Sequence, residues 1–309
     1  MRVVEVPAVG GPEVLRMSRR PDPEIGDVPG RVRVRLKAAG VNQADLRIRS
    51  GGFAPGDVSP PFVLGIDFAG TLLDPAPGLP EGTRVAGFIP WGREGTGQGS
   101  YAEMILAEPD WLAPVPDDVD FTTAASVPVS SLVAAQAVDL LDLPPGSSVL
   151  ITGAGGVVGW FAVQHAVAAG HRVVALGGDE SDLRHIGAEA VIPRGAPEDV
   201  ITAVLGFAPE RVDGVIDTAL IGDPLLPAVR DGGVFVPATV ERMPTAERGI
   251  RVVVVEAEPD SARLKRMLEQ VAARELATRM ADVLPLEEAA EAHRRAEAGH
   301  RPGRIVLMI

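Results

Sequence analysis

The residues best arranged to do chemistry are the run Thr152-Gly153-Ala154-Gly155-Gly156-Val157-Val158-Gly159. The apolar run 148–152 before it reads as a buried strand, and the apolar spacing after it predicts a helix from about 158 to 169. A glycine turn between strand and helix leaves the first helical N–H groups unpaired and puts the positive end of the helix dipole beside them, which suits a pyrophosphate. The register is Ala154-x-Gly156-x-x-Gly159, with Ala in the first glycine position. Gly156 admits the phosphates, Gly159 lets helix and strand touch, and Gly155, Val157 and Val158 complete the cradle. The competing reading is a turn of structural use only. The adenosine ribose should be read about 20 residues on, at the end of the next strand, where Gly178, Asp179 and Arg184 stand. Asp179 would bind ribose hydroxyls and favour NADH, whereas Arg184 would meet a 2′-phosphate and favour NADPH. The segment carries both signals.

Two textures must position these residues. Residues 1–118 are rich in Gly and Pro, with short strands predicted at 2–6, 31–36, 68–73, 84–88 and 101–107. Arg31-Val32-Arg33-Val34-Arg35-Leu36 alternates with period two, as a half-buried antiparallel strand should. From 119 to 275 helices alternate with continuous apolar runs at 148–152, 172–176, 190–192, 214–217, 234–236 and 252–256, the pattern of a parallel sheet covered on both faces. The helix over 121–141 should break at Pro128. Residues 276–309 return as strand, helix and a closing strand at 304–309, which should pair with the first domain's sheet. The fold class is therefore α/β, a doubly wound Rossmann sheet plus a second, mainly β domain.

The bulk chemistry narrows the function. A net charge of −13 argues against nucleic acid or an anionic membrane as partner. No run reaches the roughly 20 apolar residues of a membrane span, and the first residues lack a signal-peptide pattern, so a cytoplasmic protein is expected. Cysteine is absent, which excludes disulfides, a Cys nucleophile and any thiolate zinc site. The five histidines show neither metal nor triad spacing, and His165 reads as a packed or hydrogen-bonded residue.

Several segments together resemble the quinone oxidoreductase branch of the medium-chain dehydrogenase/reductase superfamily. They are Gly11-Pro12-Glu13-Val14-Leu15, Ala38-Ala39-Gly40-Val41-Asn42-Gln43-Ala44-Asp45, Arg49-Ser50-Gly51-Gly52-Phe53 and Pro61-Phe62-Val63-Leu64-Gly65-Ile66-Asp67-Phe68-Ala69-Gly70. The glycine turn with Ala162-Val163-Gln164, then Val212-Asp213-Gly214-Val215-Ile216-Asp217-Thr218 and Pro285-Leu286-Glu287-Glu288-Ala289-Ala290-Glu291-Ala292-His293, complete the set. The resemblance implies a GroES-like catalytic domain built from both ends of the chain around a central Rossmann domain. It also implies hydride transfer from NADPH, with NADH not excluded, to a small-molecule acceptor such as a quinone, enone or enoyl thioester. Members commonly form homodimers edge to edge, and Val252-Val253-Val254-Val255 is the matching edge strand here. Zinc-dependent relatives use Cys and His ligands, so the missing cysteines select the zinc-free branch, with no metal residues.

The resemblance places Asn42 facing the nicotinamide; the alternative is that Asn42 caps the helix after it. Asp45 reads as structural, paired with a backbone N–H or with Arg49. Some relatives carry tyrosines where this chain has Arg47 and Phe53. Arg47 would bind an anionic or polarised acceptor, and Phe53 would line the substrate side by packing alone. Trp91, in the Gly-rich loop 90–99, would close over the substrate side or else pack within the loop. Tyr101 reads as a core residue in preference to a proton donor. These departures keep two further readings open, a natural-product tailoring enzyme (an enoyl reductase or a non-redox cyclase) and a binding protein without activity.

Overall fold

The computed structural model describes residues 1–52, 58–299 and 301–309. The chain divides into two compact units, Met1–Val129 with Glu258–Ile309, and Ser130–Ala257.

The first unit begins with strands β1 (Arg2–Val6), β2 (Arg16–Arg19) and β3 (Val32–Val41), then helix α1 (Gln43–Ser50). Strands β4 (Phe62–Val63), β5 (Asp67–Leu72) and β6 (Arg84–Phe88) follow, then α2 (Trp91–Glu94), β7 (Met104–Ala107), β8 (Leu112–Pro114) and α3 (Phe121–Ala125). The spine is β3. Its first half alternates as the sequence predicts, with Val32, Val34 and Leu36 buried and Arg35 and Lys37 exposed. From Ala38 to Val41 every residue is buried, because an antiparallel strand from the chain's other end pairs there and α3 lies over it. The strand expected from 101 pairs with β3 from Met104, while Ala102 forms an isolated antiparallel bridge to Val3 and Tyr101 is buried in the core.

The second unit opens on α4 (Pro128–Leu141), which straddles the division. The expected break in the 121–141 helix is made by residues 126–127, and Pro128 opens the new helix, where a missing N–H costs nothing. Then come β9 (Ser148–Thr152), α5 (Val157–Ala168), β10 (Arg172–Leu176), α6 (Glu180–His185), β11 (Ala190–Ile192), α7 (Pro197–Phe207), β12 (Val212–Asp217), β13 (Val229–Pro237) and β14 (Arg251–Val252). All pairs in this sheet are parallel, in the order β11-β10-β9-β12-β13-β14. Counted from β9 that is 3-2-1-4-5-6, the doubly wound order, with its switch point between β9 and β12. The strand expected at 252–256 is shorter, although the Val253 N–H still donates to the Phe235 carbonyl at 3.0 Å.

The chain then re-enters the first unit through α8 (Ser261–Ala272), β15 (Met280–Pro285), α9 (Ala289–Ala298) and β16 (Arg304–Met308). Helix α8, which the alternation of elements assigns to the middle segment, packs against β8 instead. Its apolar residues Leu264, Met267 and Leu268 are buried at i, i+3 and i+4. Strand β16 lies between β15 and β3 in a seven-stranded sheet, so the closing strand pairs where the sequence predicts. Among the described residues no helix is long and apolar enough to cross a membrane.

Because Leu307 of β16 is fully buried in the core shared with β3, Leu307→Ala should destabilise the protein by about 2–5 kcal/mol. A urea unfolding midpoint that stays at the wild-type value would show that β16 does not hold this sheet.

Candidate dinucleotide turn and substrate-side residues

In the second unit the glycine turn joins the C-terminal end of β9 to α5, beside the switch point. Steric fit explains its composition. A Cβ on Gly159 would lie 2.2 Å from the Gly153 carbonyl oxygen, so only glycine lets the first turn of α5 rest on the loop. The Gly156 N–H donates to that same carbonyl at 2.8 Å and caps the helix in extended conformation. Gly156 is exposed, and a Cβ there would meet only the Gly153 carbonyl, at 3.1 Å, within 4 Å. The space over Gly156 and the N–H groups of Val157 and Val158 is thus open to an anion, while Ala154 is buried against β10 through its N–H to the Leu176 carbonyl.

Neighbouring strand ends hold the turn in place. The Thr152 hydroxyl donates to Asp217 Oδ1 at 2.5 Å, the Gly222 N–H to Asp217 Oδ2 at 2.8 Å, and the Thr218 hydroxyl to the Thr152 carbonyl at 2.6 Å. Gly178 is brought to the turn as expected: a Cβ on Gly155 would lie 2.7 Å from the Gly178 Cα. The other two ribose candidates are engaged elsewhere. Asp179 caps α6, accepting the Asp182 N–H at 3.0 Å. Arg184 is tied back to Glu180 at 2.9 Å and to the Glu189 carbonyl at 3.0 Å. The basic side chain that does reach this segment is one the sequence reading passed over, Arg194, whose stem packs on Gly177. Its position two residues beyond β11, the strand paired with β10, is the signal that marks it.

In the first unit Asn42 stands at the junction of β3 and α1. Its backbone N–H donates to Asp45 Oδ2 at 2.8 Å, which is the capping geometry. Its side-chain amide is held at both ends: Nδ2 donates to Asp67 Oδ2 at 3.1 Å, and Oδ1 accepts from Arg304 Nη1. One amide proton is left over. Asp67 and Asp45 are fully buried. Asp67 also accepts the Val129 N–H at 2.8 Å and lies 3.5 Å from Arg304 Nη2. Asp45 accepts the Gly65 N–H at 3.0 Å, the structural role expected for it.

Burial pushes the Asp45 carboxyl up to about 7, against the pull of its two N–H donors, and burial likewise raises Asp67 against the opposing Arg304 charge. A second buried chain lies in the same unit: Arg49, His293 and Tyr101. Arg49 can only donate, so His293 Nδ1 accepts from it at 3.2 Å and Nε2–H donates to the Tyr101 oxygen at 3.1 Å. Burial, and then the Arg49 charge, push His293 down to about 3, and burial holds the Tyr101 hydroxyl well above its ordinary range. Tyr101 is thus a core residue.

The remaining substrate-side expectations divide. Arg47 sits half-buried on α1, its carbonyl accepting the Gly52 N–H at 2.9 Å. Phe53 lies outside the described residues. Trp91, expected either on the substrate side or packed in its loop, is 3% exposed; its indole N–H donates to the Val63 carbonyl at 3.0 Å, and its ring packs edge-on against Phe62. His165 is hydrogen-bonded, as expected, to the Ser131 hydroxyl at 3.0 Å.

The two buried titrating groups give opposite pH signatures. Asp45 binds its proton more tightly folded (about 7) than unfolded (3.8), so its contribution is full below about pH 4 and falls as pH rises to about 7. His293 binds its proton less tightly folded (about 3) than unfolded (6.5), so its contribution rises with pH over that window. Between about pH 4 and 6.5 the two oppose each other. Asp45→Asn should therefore make unfolding free energy rise more steeply with pH, and His293→Gln should make it fall. Slopes from urea titrations at pH 4.5, 5.5 and 6.5 that match wild type in both variants would contradict these assignments.

Comparison with known proteins bears on the whole arrangement. Residues 28–117 match the family described as alcohol dehydrogenase GroES-like domain, and residues 186–307 the family described as zinc-binding dehydrogenase. The chain has no cysteine, and among the described residues no three His, Asp or Glu side chains converge on a metal position. A chloroplastic NADPH-dependent alkenal/one oxidoreductase of Arabidopsis thaliana is 28% identical over 308 residues, covering 96% of this chain and 77% of that protein. The chain spans about half, 52%, of the mouse synaptic vesicle membrane protein VAT-1 homolog-like, with 72% of its own length matched at 31% identity. Among solved structures, an NAD-dependent alcohol dehydrogenase superposes with a TM-score of 0.86 at 30% identity, covering 100% of both chains. The quinone oxidoreductase from Coxiella burnetii superposes at 0.87 and 25%, covering 100% of this chain and 99% of that one. The chain belongs to the medium-chain dehydrogenase/reductase superfamily and is quinone oxidoreductase-like.

Proposed function

We propose that this oxidoreductase is a zinc-independent reductase that passes hydride from a nicotinamide dinucleotide to a conjugated carbonyl acceptor, a quinone, enone or enoyl thioester. The observation that carries the reading is the open glycine turn at the switch point of the 3-2-1-4-5-6 sheet, where Gly155, Gly156 and Gly159 leave room that side chains would fill. The α5 N-terminus would hold the pyrophosphate through backbone N–H groups and the helix dipole. When bound, the dihydronicotinamide supplies the hydride.

Conjugation removes the need for a strong acid. Hydride added at the far carbon of an enone sends charge to the carbonyl oxygen, and a proton from water completes the reduction. In this reading, orientation and hydrogen bonding do the work that a metal Lewis acid does in zinc-dependent relatives. Asn42, its amide locked between Asp67 and Arg304, is the oriented donor of this proposal, and Arg47 would favour an anionic or strongly polarised acceptor. The named activities of the Arabidopsis and Coxiella relatives support this acceptor class. Arg47, standing where some relatives have a tyrosine, favours as second reading an enzyme tailoring one particular enoyl substrate. The edge position of β14 supports pairing of two copies there.

The test is titration with NADPH and NADH, followed by energy transfer from tryptophan, since Trp160 lies on α5 directly after the turn. Saturable binding and oxidation of the bound nucleotide by at least one quinone, enone or enoyl thioester are expected. No binding at millimolar nucleotide would sink the reading. Gly156→Val, which intrudes on open space and not on the core, should keep the melting temperature within a few degrees and weaken binding by about tenfold or more.

A further inference from the structure

We infer that Arg194 makes this enzyme selective for a 2′-phosphorylated dinucleotide, NADPH over NADH, by pairing its free guanidinium with the 2′-phosphate beside Gly177 and Gly178. The inference rests on the proposed dinucleotide site and adds the residue that discriminates within it.

The strand whose end reads the ribose is β10, and it ends in two glycines, both with positive φ (+80° and +102°). Neither can take a side chain cheaply. A Cβ on Gly178 would lie 2.9 Å from the Gly155 Cα and from Leu183, and one on Gly177 would lie 3.1 Å from Arg194 Nε and 3.2 Å from its Cγ. The position therefore offers no carboxylate to the ribose hydroxyls and leaves the 2′ side unobstructed. The next carboxylate, Asp179, is turned to the N-terminus of α6.

Arg194 arrives from the neighbouring strand. The Gly177 N–H donates to the Ile192 carbonyl at 2.8 Å, which locks β10 and β11 in register and places position 194 over Gly177. The residue is exposed, and among the described residues its side chain makes no hydrogen bond or ion pair, although Glu198 and Asp199 follow closely in α7. An arginine held over the glycine end of β10 and lacking a carboxylate partner is suited to a phosphate dianion, which it meets with two parallel N–H donors. Arg184, the sequence's other basic candidate, is occupied by Glu180 and the Glu189 carbonyl.

The experiment is calorimetric titration of wild type, Arg194→Leu, Arg194→Lys and Arg184→Leu with NADPH and with NADH, alongside melting temperatures. Wild type should bind NADPH at least tenfold more tightly than NADH, with a steeper loss in salt. Arg194→Leu should weaken NADPH by about 10- to 100-fold, leave NADH within about twofold and remove the excess salt dependence. Arg194→Lys should keep part of the preference, and Arg184→Leu should keep all of it. If wild type binds both nucleotides equally, or Arg194→Leu weakens both alike or neither, the dinucleotide site stands and the role of Arg194 is refuted. If wild type binds neither, the site itself is refuted and this inference with it.

Discussion

A guanidinium buried among carboxylates organises the first unit. Arg304, from the closing strand β16, lies 3.5 Å from Asp67 of β5 and donates to the Asn42 side-chain oxygen and to the Val41 carbonyl at the end of β3. Such a pair is not a large net source of stability, because both charges lose their water. Its effect is on specificity. Removing either partner leaves an uncompensated charge in the core, so the strands are committed to one register and one neighbour. Asn42 inherits its orientation from this pair, since its amide oxygen faces the arginine and its amide nitrogen the aspartate. A side chain fixed in this way is a positioned donor; the same amide on a free loop would sample many directions.

The second unit is governed by a different constraint, crowding of main chain at the ends of parallel strands. Three strand ends and one helix start meet within a few residues of the switch point, and glycine alone fits where they touch. Hydrogen bonds from Thr152 and Thr218 and to Asp217 then pin β9 to β12. The opening over Gly156 is what this packing leaves, so the site proposed there would be set by strand and helix ends.

Much of this was legible in the residues, and the reason differs by element. The strands of the middle unit show as short apolar runs because both sheet faces are covered, and the turn shows because steric crowding restricts it to glycine. The return of the last strand to the first sheet was readable from its apolar texture. The ribose side was less legible. Asp179 and Arg184 read as ribose candidates, but Asp179-x-x-Asp182 is also a helix-capping pattern and Glu180 lies four residues before Arg184, so both have local partners as well. The glycine-rich loop around Trp91 allowed both a substrate-side and a packing role, and only the fold brings its indole N–H to the Val63 carbonyl. The bond between Asn42 and Arg304 spans 262 residues, and no local pattern announces a contact of that range.

That span has a consequence for how the chain is made. The inner edge of β3 from Ala38 to Val41 is apolar on both faces and is covered only when β16 arrives. At about 5–20 residues per second on a ribosome, β3 waits on the order of tens of seconds for its neighbour. The middle unit, contiguous in sequence, has all six of its strands by Val252 and is complete while that edge is still open. Biogenesis therefore passes through a half-finished protein with a mature nucleotide fold and an uncovered strand, the state in which a chaperone or a wrong strand partner acts.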